Sequence, residues 1–533
     1  TTGASNTAVG ESSLYNNTTG ANNTSVGSGS LVANTTGTRN NALGRDALKS
    51  NTTANDNTGL GDQALQANTT GGQNTAVGRG ALYNNTTAEY NTAVGYYAMV
   101  SNTTGTQNVA LGTFALDANT TGPQNSALGY NALGANTTGA QNTGIGSTSL
   151  ATNTTGDNNV AVGQVALRLN TTGSSNIAVG RASLYTNTTG ANNTSVGTDA
   201  LAANTTASHG SAFGFSALSA NTTAQDNSAF GAYALQNTTT GVDNTAVGVA
   251  SLQLNTTGVR NSAVGKNALQ ANTTGGENTA VGNSALLSNT TGLHNTAVGF
   301  HALKTNTTGQ QNTAVGQDSL FANTTGTYNV AMGKNALAGN TTGGNCVGIG
   351  YHALVSQTTG ENNVAIGFTA GHDMSTGNSN VSMGTQAGYA NTTGTSNVAI
   401  GRDTLLANTT GSNNTAIGRD ALKANTTGAL NVAVGRHALI GCTTGNDNTG
   451  IGTYALDSTT TGGANIAIGH GAISTSSTAS GQCTLGNSAI SNLRCNDTSI
   501  SSLSDSRDKT DVVDSPFGLD FINTVRPVQF LWD

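Results

Sequence analysis

Residues 74–95 read NTAVGRGALYNNTTAEYNTAVG, so the pentapeptide Asn-Thr-Ala-Val-Gly returns after 17 residues. Gly78 and Gly95 belong to a series of 29 glycines that runs from Gly10 to Gly486 in steps of 17, since (486 − 10)/17 gives 28 steps. No insertion or deletion interrupts this series. One extra residue in a solenoid would turn later side chains to the wrong face, so a constant repeat length predicts stacked coils.

The repeat carries two apolar rows at fixed positions. Numbered from its first asparagine, it reads N-T-A-V-G-x-x-[AS]-L-x-x-N-T-T-G-x-x. Position 4, directly before the repeating glycine, is apolar in every copy, with Phe213, Phe230, Met332 and Met383 as larger variants. Position 9 is Leu in nearly every copy, and the exceptions are Met99, Gly371, Gly388, Ile473 and Ile490.

Two other interpretations of the composition are weaker. The 72 glycines and a charged content of only 8% resemble a disordered polar linker, but a disordered chain has no register to protect. A helical repeat is disfavoured because most units carry two glycines and a run of Asn and Thr, all unfavourable inside helices.

Short strands fit the repeat better. The Thr-Ala-Val segment and the Ala-Leu pair are small or β-prone, while Asn-Thr-Thr-Gly supplies turn chemistry, with Asn and Gly tolerating positive φ. We therefore predict an all-β parallel β-solenoid, or β-roll, in which each coil has two short strands and two turns. At about 4.8 Å per coil, 29 coils would form a shaft roughly 140 Å long with ladders of identical residues.

The thin core of such a coil bears on the oligomeric state. Each coil offers few large aliphatic side chains against the conformational entropy of ordering 17 residues. Packing the second apolar row against other chains would add to the stability of the shaft. We therefore expect an oligomer, specifically a homotrimer.

Two segments resemble a known family of fibrous proteins. Residues 159–163 (NVAVG) and 363–367 (NVAIG) are similar to the N-x-A-[VI]-G coils in the heads of trimeric autotransporter adhesins. That resemblance implies a left-handed parallel β-roll packed as a trimer. The present repeat is longer than the usual coil of those adhesins.

The last thirty residues resemble a second family. The chain reads SDSRDK from Ser504, GLDFIN from Gly518 and RPVQFLW from Arg526. These motifs, in this order, are similar to the start of the self-cleaving intramolecular chaperone domain (peptidase S74) of phage tail fibres and tailspikes. The resemblance implies that Ser504 is the nucleophile, that Lys509 is the general base, and that the cut falls between Leu503 and Ser504. A serine hydroxyl needs such a base at neutral pH, and a lysine can serve when burial lowers its pKa.

The resemblances give a domain organisation and a location. We predict a solenoid shaft over residues 1–486, a neck over 487–503 and a truncated chaperone over 504–533. Neither a membrane-spanning stretch nor a C-terminal anchor of the adhesin kind is recognisable, which favours an extracellular virion fibre over the alternative of a bacterial surface adhesin. The host receptor or glycan cannot be read from the sequence.

Other chemistry is sparse. The seven histidines form no metal-binding spacing, and we expect no metal, no cofactor and no external substrate. Cys346, Cys442, Cys483 and Cys495 show no CxxC pair and are interpreted as free thiols, with a Cys483 to Cys495 link as the alternative. A net charge of −7 with few Lys and Arg argues against nucleic-acid binding.

Four further features have alternative interpretations. The recurrent Asn-Thr-Thr sequon is interpreted as a turn with an asparagine ladder rather than as a glycan acceptor. An ice-binding solenoid would also align threonines, but adjacent threonines on a strand would point to opposite faces. A polysaccharide-degrading tailspike would need paired carboxylates, and acidic residues here are few. The irregular stretch from Phe368 to Tyr389 contains His372-Asp373-Met374 and predicts a bend or a small binding patch.

Overall fold

A computed structural model of the protein describes residues 2–492. These residues form a parallel β-solenoid with 29 strands of three residues each and no helix, which confirms the predicted fold class. The strands are β1 Thr7–Val9, β2 Thr24–Val26, β3 Asn41–Leu43, β4 Thr58–Leu60, β5 Thr75–Val77, β6 Thr92–Val94, β7 Val109–Leu111, β8 Ser126–Leu128, β9 Thr143–Ile145, β10 Val160–Val162, β11 Ile177–Val179, β12 Thr194–Val196, β13 Ser211–Phe213, β14 Ser228–Phe230, β15 Thr245–Val247, β16 Ser262–Val264, β17 Thr279–Val281, β18 Thr296–Val298, β19 Thr313–Val315, β20 Val330–Met332, β21 Val347–Ile349, β22 Val364–Ile366, β23 Val381–Met383, β24 Val398–Ile400, β25 Thr415–Ile417, β26 Val432–Val434, β27 Thr449–Ile451, β28 Ile466–Ile468 and β29 Cys483–Leu485.

Each strand pairs in parallel with the next strand along the chain, at an offset of 17 residues. Thr75 lies beside Thr92, Ala76 beside Ala93 and Val77 beside Val94, and the same register holds from the first pair to the last. Identical positions of the repeat therefore lie above one another, at the roughly 4.8 Å spacing of hydrogen-bonded strands.

The prediction of a second strand in each coil is wrong. The Ala-Leu segment at positions 8 and 9 forms a turn, in which Leu82 has φ 52°. Nearly every leucine of this row shares this left-handed backbone conformation, which an L-residue adopts only when its surroundings compensate for the strain. The compensation is burial, since Leu82 is fully inaccessible to solvent.

Positive φ falls at other positions than the sequence indicated. Neither Asn85 at position 12 nor Gly105 at position 15 has it, whereas positions 7, 9 and 17 do, as in Gln63, Leu65 and Gln73. The repeating glycine at position 5 is the most demanding: Gly78 has φ +128°, and a Cβ there would lie 2.5 Å from the carbonyl oxygen of Gly95. Only glycine fits both the conformation and the close approach of the next coil.

The core is narrow and partly polar. Positions 1, 3, 8, 9, 12 and 15 turn inward, as shown by buried Asn74, Ala76, Ala81, Leu82 and Asn85. The alanines and leucines form the apolar part of this core. Two buried asparagine rows form the rest of it.

The asparagine rows satisfy each other and the backbone. Asn102 donates from Nδ2 to Oδ1 of Asn85 in the previous coil at 2.9 Å and to the carbonyl oxygen of Gly105 at 3.0 Å. Asn91 donates to the same carbonyl at 3.0 Å, and its backbone N–H donates to Oδ1 of Asn74. The predicted asparagine ladder is confirmed, and Asn85 and Asn102 of the sequons are buried within it. Such networks stabilise a core when their members are satisfied, and the exceptions among the described asparagines are Asn221 and Asn425, whose Oδ1 atoms lack a partner where Thr238 and Cys442 replace the next asparagine.

The Thr-Thr pair at positions 13 and 14 lies in a turn rather than on a strand, so the strand argument used above against ice binding does not apply. Thr86 at position 13 donates from its hydroxyl to the backbone carbonyl of Thr103 in the next coil at 3.1 Å, whereas Thr87 at position 14 is exposed. Half of the aligned threonines therefore stabilise coil stacking.

Candidate interaction surfaces

The outward face of the solenoid strands carries the second apolar row. In a strand, alternate side chains point to opposite faces, so Ala76 faces the core while Thr75 and Val77 face outward. Position 4 is apolar in all 29 coils, and none of its side chains is buried. Exposure reaches 56% for Val9, 48% for Leu43 and 44% for Ile468. We call this line of side chains, from Val9 to Leu485, the outer apolar row.

The outer apolar row is large for a protein surface. If each member leaves on the order of 50 Å² in contact with water, 29 coils expose on the order of 1,500 Å², against about 300–600 Å² for the largest patch on a typical monomer. An apolar surface of this size is typical of an interface with another macromolecule.

Aromatic side chains cluster on a second surface, formed by positions 6, 7 and 10. One cluster contains Tyr96, Tyr97, Phe114 and Tyr130, with ring centroids 4.3 to 6.5 Å apart between neighbours. A second cluster contains Tyr351, His352, Phe368, His372 and Tyr389, in which neighbouring rings are stacked. Because identical positions recur at the strand spacing, rings on consecutive coils come into stacking contact without any further structural element.

The irregular stretch from Phe368 to Tyr389 is part of this second cluster and keeps the 17-residue register. His372 Nδ1 lies 2.7 Å from Oδ1 of Asp373, and Asn335 donates to Nε2 of His352 at 2.9 Å. Burial, the neighbouring His372 and the charge of Lys334 lower the pKa of His352. His352 is therefore a neutral acceptor at neutral pH, and the stretch presents a hydrogen-bonded aromatic surface.

A charged cluster lies further along, where position 6 is arginine in three consecutive coils, at Arg402, Arg419 and Arg436. Asp420 at position 7 bonds Arg419 at 2.9 Å and Lys423 at 2.8 Å. Burial by itself would raise the pKa of Asp420, but the hydrogen bonds and charges of Lys423 and Arg419 outweigh it and lower the pKa. The carboxylate thus pairs with two cations of this cluster.

The cysteines differ in exposure. Cys346 replaces the asparagine of position 1 and Cys442 that of position 12; both are buried free thiols, as expected. Burial raises the pKa of Cys346, and raises that of Cys442 to about 11. Cys483 is exposed, and the alternative link to Cys495 lies outside the described residues.

The predicted self-cleavage site also lies outside the described residues, since Leu503, Ser504 and Lys509 follow residue 492. Within residues 2–492, no group of three or more His, Cys, Asp or Glu side chains could hold a metal ion. In the same range, no helix is long and apolar enough to cross a bilayer.

A scan against protein-family models found no match for this chain, and a search of curated proteins found none either.

Proposed function

We propose that this protein is the homotrimeric shaft of a viral, phage-like tail fibre, which supports attachment to the host and matures by autocleavage of a C-terminal chaperone. The observation that carries the proposal is the outer apolar row, which runs along a regular solenoid of 29 coils. A rod of this kind holds a receptor-binding part away from the particle. The motifs at the C-terminus support the same assignment.

The outer apolar row supports assembly with copies of the same chain. A standard protein interface buries about 800 Å² on each partner, and the row offers more than that along its length. An apolar side chain at every coil lets parallel chains make contact along the whole length of the row. In a trimer with closed cyclic symmetry, each chain can turn this row toward the common axis.

The self-cleavage part of the proposal is supported by the sequence. Ser504 and Lys509 match the family motif, and the cut between Leu503 and Ser504 would release the shaft. In that chemistry, the Ser504 hydroxyl attacks the Leu503 carbonyl while the Lys509 amine accepts its proton. As the C–N bond between Leu503 and Ser504 breaks, Lys509 returns the proton to the departing Ser504 amine, and water then hydrolyses the ester to free the Leu503 carboxylate and the Ser504 hydroxyl.

The test is native mass spectrometry of the full-length gene product. We expect a trimer of chains that end at Leu503, and an uncleaved chain in the variants Ser504→Ala and Lys509→Ala. Ser506→Ala is the matched control, because it removes a neighbouring hydroxyl and leaves the dyad intact. An uncleaved monomer of the unaltered chain would refute the proposal.

The trimer interface can be tested separately. The triple variant Val264→Ser, Val281→Ser and Val298→Ser removes three consecutive members of the outer apolar row. We expect its trimer to dissociate at a lower temperature than the trimer of the unaltered chain. The control is the double variant Val259→Ser and Leu293→Ser, since these apolar side chains occupy position 16 outside the row. Equal dissociation temperatures for both variants would place the interface elsewhere.

A further inference from the structure

We infer that a groove centred on Ala338 is a binding site for a neutral pyranose sugar. The groove is an open depression of about 440 Å³, lined by His301, Asp318, Phe321, Asn335, Ala338 and Val355. Its volume lies in the range of small-molecule sites, about 300–1,000 Å³. It lies on the surface of positions 7 and 10, so it is separate from the outer apolar row and does not depend on the proposed function.

The groove exists because one side chain of the position 10 row is small. That row reads Phe321, Ala338 and Val355 over three consecutive coils. The outer two are separated by two coil rises, or about 9.6 Å. Subtracting one van der Waals contact distance of about 3.5–4.0 Å leaves a gap of about 6 Å over Ala338. Such a gap admits one six-membered ring on its edge.

Phe321 provides the apolar wall. The ammonium of Lys304, one coil earlier in the row, lies 5.4 Å from the centroid of the Phe321 ring. Lys304 thus lies over one face of the ring, His301 packs beside it with ring centroids 5.9 Å apart, and Phe321 borders the space over Ala338. A flat aromatic face suits the C–H face of a pyranose, which is the least hydrated part of a sugar.

The polar wall comes from position 7 of the same coils. His301 Nδ1 lies 3.4 Å from Oδ1 of Asp318, and both side chains are about three-quarters buried, with 23% and 24% of their surfaces exposed. Asn335 donates to His352, and its amide oxygen has no hydrogen-bond partner among the described residues. The wall therefore presents the carboxylate of Asp318, the amide oxygen of Asn335 and the imidazole of His301, polar groups that suit vicinal hydroxyl groups, which both donate and accept.

The charge of the wall selects among sugars. The carboxylate of Asp318 would repel a uronate or a phosphorylated sugar. A nucleotide is disfavoured for the same reason. A neutral hexose or N-acetylhexosamine carries no such penalty, and its hydroxyl groups can donate to the carboxylate.

Saturation-transfer difference NMR on the full chain tests the site. The probes are the methyl pyranosides of glucose, galactose, mannose, N-acetylglucosamine and glucuronic acid. We expect at least one neutral probe to bind with a Kd of about 1–10 mM, with saturation received through its C–H face, and glucuronide binding to be weaker.

Variants assign the binding to the groove. Ala338→Leu fills the gap, and the coil accepts Leu at position 10, as Leu287 and Leu406 show; we expect at least a tenfold loss of affinity. Ala202→Leu, the same substitution at the same position eight coils earlier, is the control and should leave binding unchanged. Asp318→Asn should raise the affinity for glucuronide relative to that for the neutral sugars.

Two results would overturn the inference: no neutral pyranoside receives saturation from the unaltered chain, or Ala338→Leu binds it as well as the unaltered chain does. A trimer that binds no sugar would remove this site and leave the fibre proposal intact. A monomer that binds sugar in the groove over Ala338 would support this site and refute the trimeric fibre proposal.

Discussion

Met374 fills the core space that Gly371 leaves in the same coil. Gly371 stands where the repeat has its buried leucine, and a Cβ built on it would lie 3.6 Å from Cε of Met374. Met374 in turn replaces the buried asparagine of position 12 and is 1% exposed. Two departures from the repeat thus compensate each other, since a flexible thioether fills an irregular gap well.

This compensation predicts coupled substitutions. Met374→Asn should destabilise the coil by about 2–4 kcal/mol, because it leaves a cavity beside Gly371. Gly371→Leu should overpack the same space against Met374 and Leu354. The double variant restores the repeat and should lie within about 1 kcal/mol of the unaltered chain. Hydrogen exchange of the amides at 371–391 measures the local opening, and strictly additive effects would contradict the relationship.

The repeating glycine predicts a large position-dependent effect of a single methyl group. Gly78→Ala places a Cβ against the carbonyl of Gly95 at a φ that L-residues rarely adopt, and we expect a loss of about 3 kcal/mol or more in local stability. Gly72→Ala is the matched control, since Gly72 lacks positive φ and occupies the variable position 16. Its effect should stay within about 0.5 kcal/mol. Thermal unfolding followed by circular dichroism compares the two variants.

The asparagine ladder predicts a severe effect of an isosteric change. Asn272 donates from Nδ2 to Oδ1 of Asn255 and to the carbonyl of Gly275, both at 2.9 Å. Asn272→Asp would place a buried carboxylate against these two acceptors, and we expect a loss of about 3–5 kcal/mol at neutral pH. Asn283→Asp, at an exposed position, should be nearly neutral. Denaturant unfolding of both variants at pH 7 separates the ladder from a general effect of added charge.

The cysteines predict a selective labelling pattern. Iodoacetamide at pH 8 should alkylate exposed Cys483 in the native chain and spare Cys346 and Cys442, because burial and a raised pKa suppress their thiolates. Peptide mass spectrometry identifies the labelled residues. Full labelling in denaturant is the control, and native labelling of Cys442 at the rate of Cys483 would contradict the buried position.

Cys442 also predicts a dependence of stability on pH. Its pKa rises from 9.0 to about 11 on folding. Since the folded value exceeds the unfolded one, the stabilisation is present below pH 9 and is lost as the pH rises towards 11. Cys442→Asn restores the repeat and should remove this part of the decline. Unfolding midpoints of both chains between pH 8 and pH 11 provide the comparison.

The second strand failed to appear because β-propensity does not determine backbone conformation by itself. Ala81 and Leu82 are apolar residues that a short strand could hold, yet the coil turns at this point and brings leucine into the core. One signal in the sequence indicated the turn. Glycine replaces other residues at position 7 in Gly29 and Gly80 and at position 9 in Gly371 and Gly388, and all four have positive φ. Such substitutions are typical of left-handed positions.

Ile473 occupies position 9, where the repeat has its buried leucine with positive φ. A β-branched side chain disfavours positive φ; Val165 and Thr148 adopt it at position 7 nevertheless, whereas Ile473 at position 9 does not. Its side chain is 50% exposed instead of buried. The backbone departs from the regular turn pattern at this position.

The sequence by itself determined the solenoid, the number of coils and the register, because a constant 17-residue period permits only stacking of equivalent positions. It also identified the two apolar rows. Only the tertiary structure decided that Leu82 faces the core while Val77 faces outward, since both are apolar and lie five residues apart. The groove at Ala338 likewise depends on tertiary structure. Its two walls come from positions 7 and 10 of successive coils, and only the path of the turn brings those positions together.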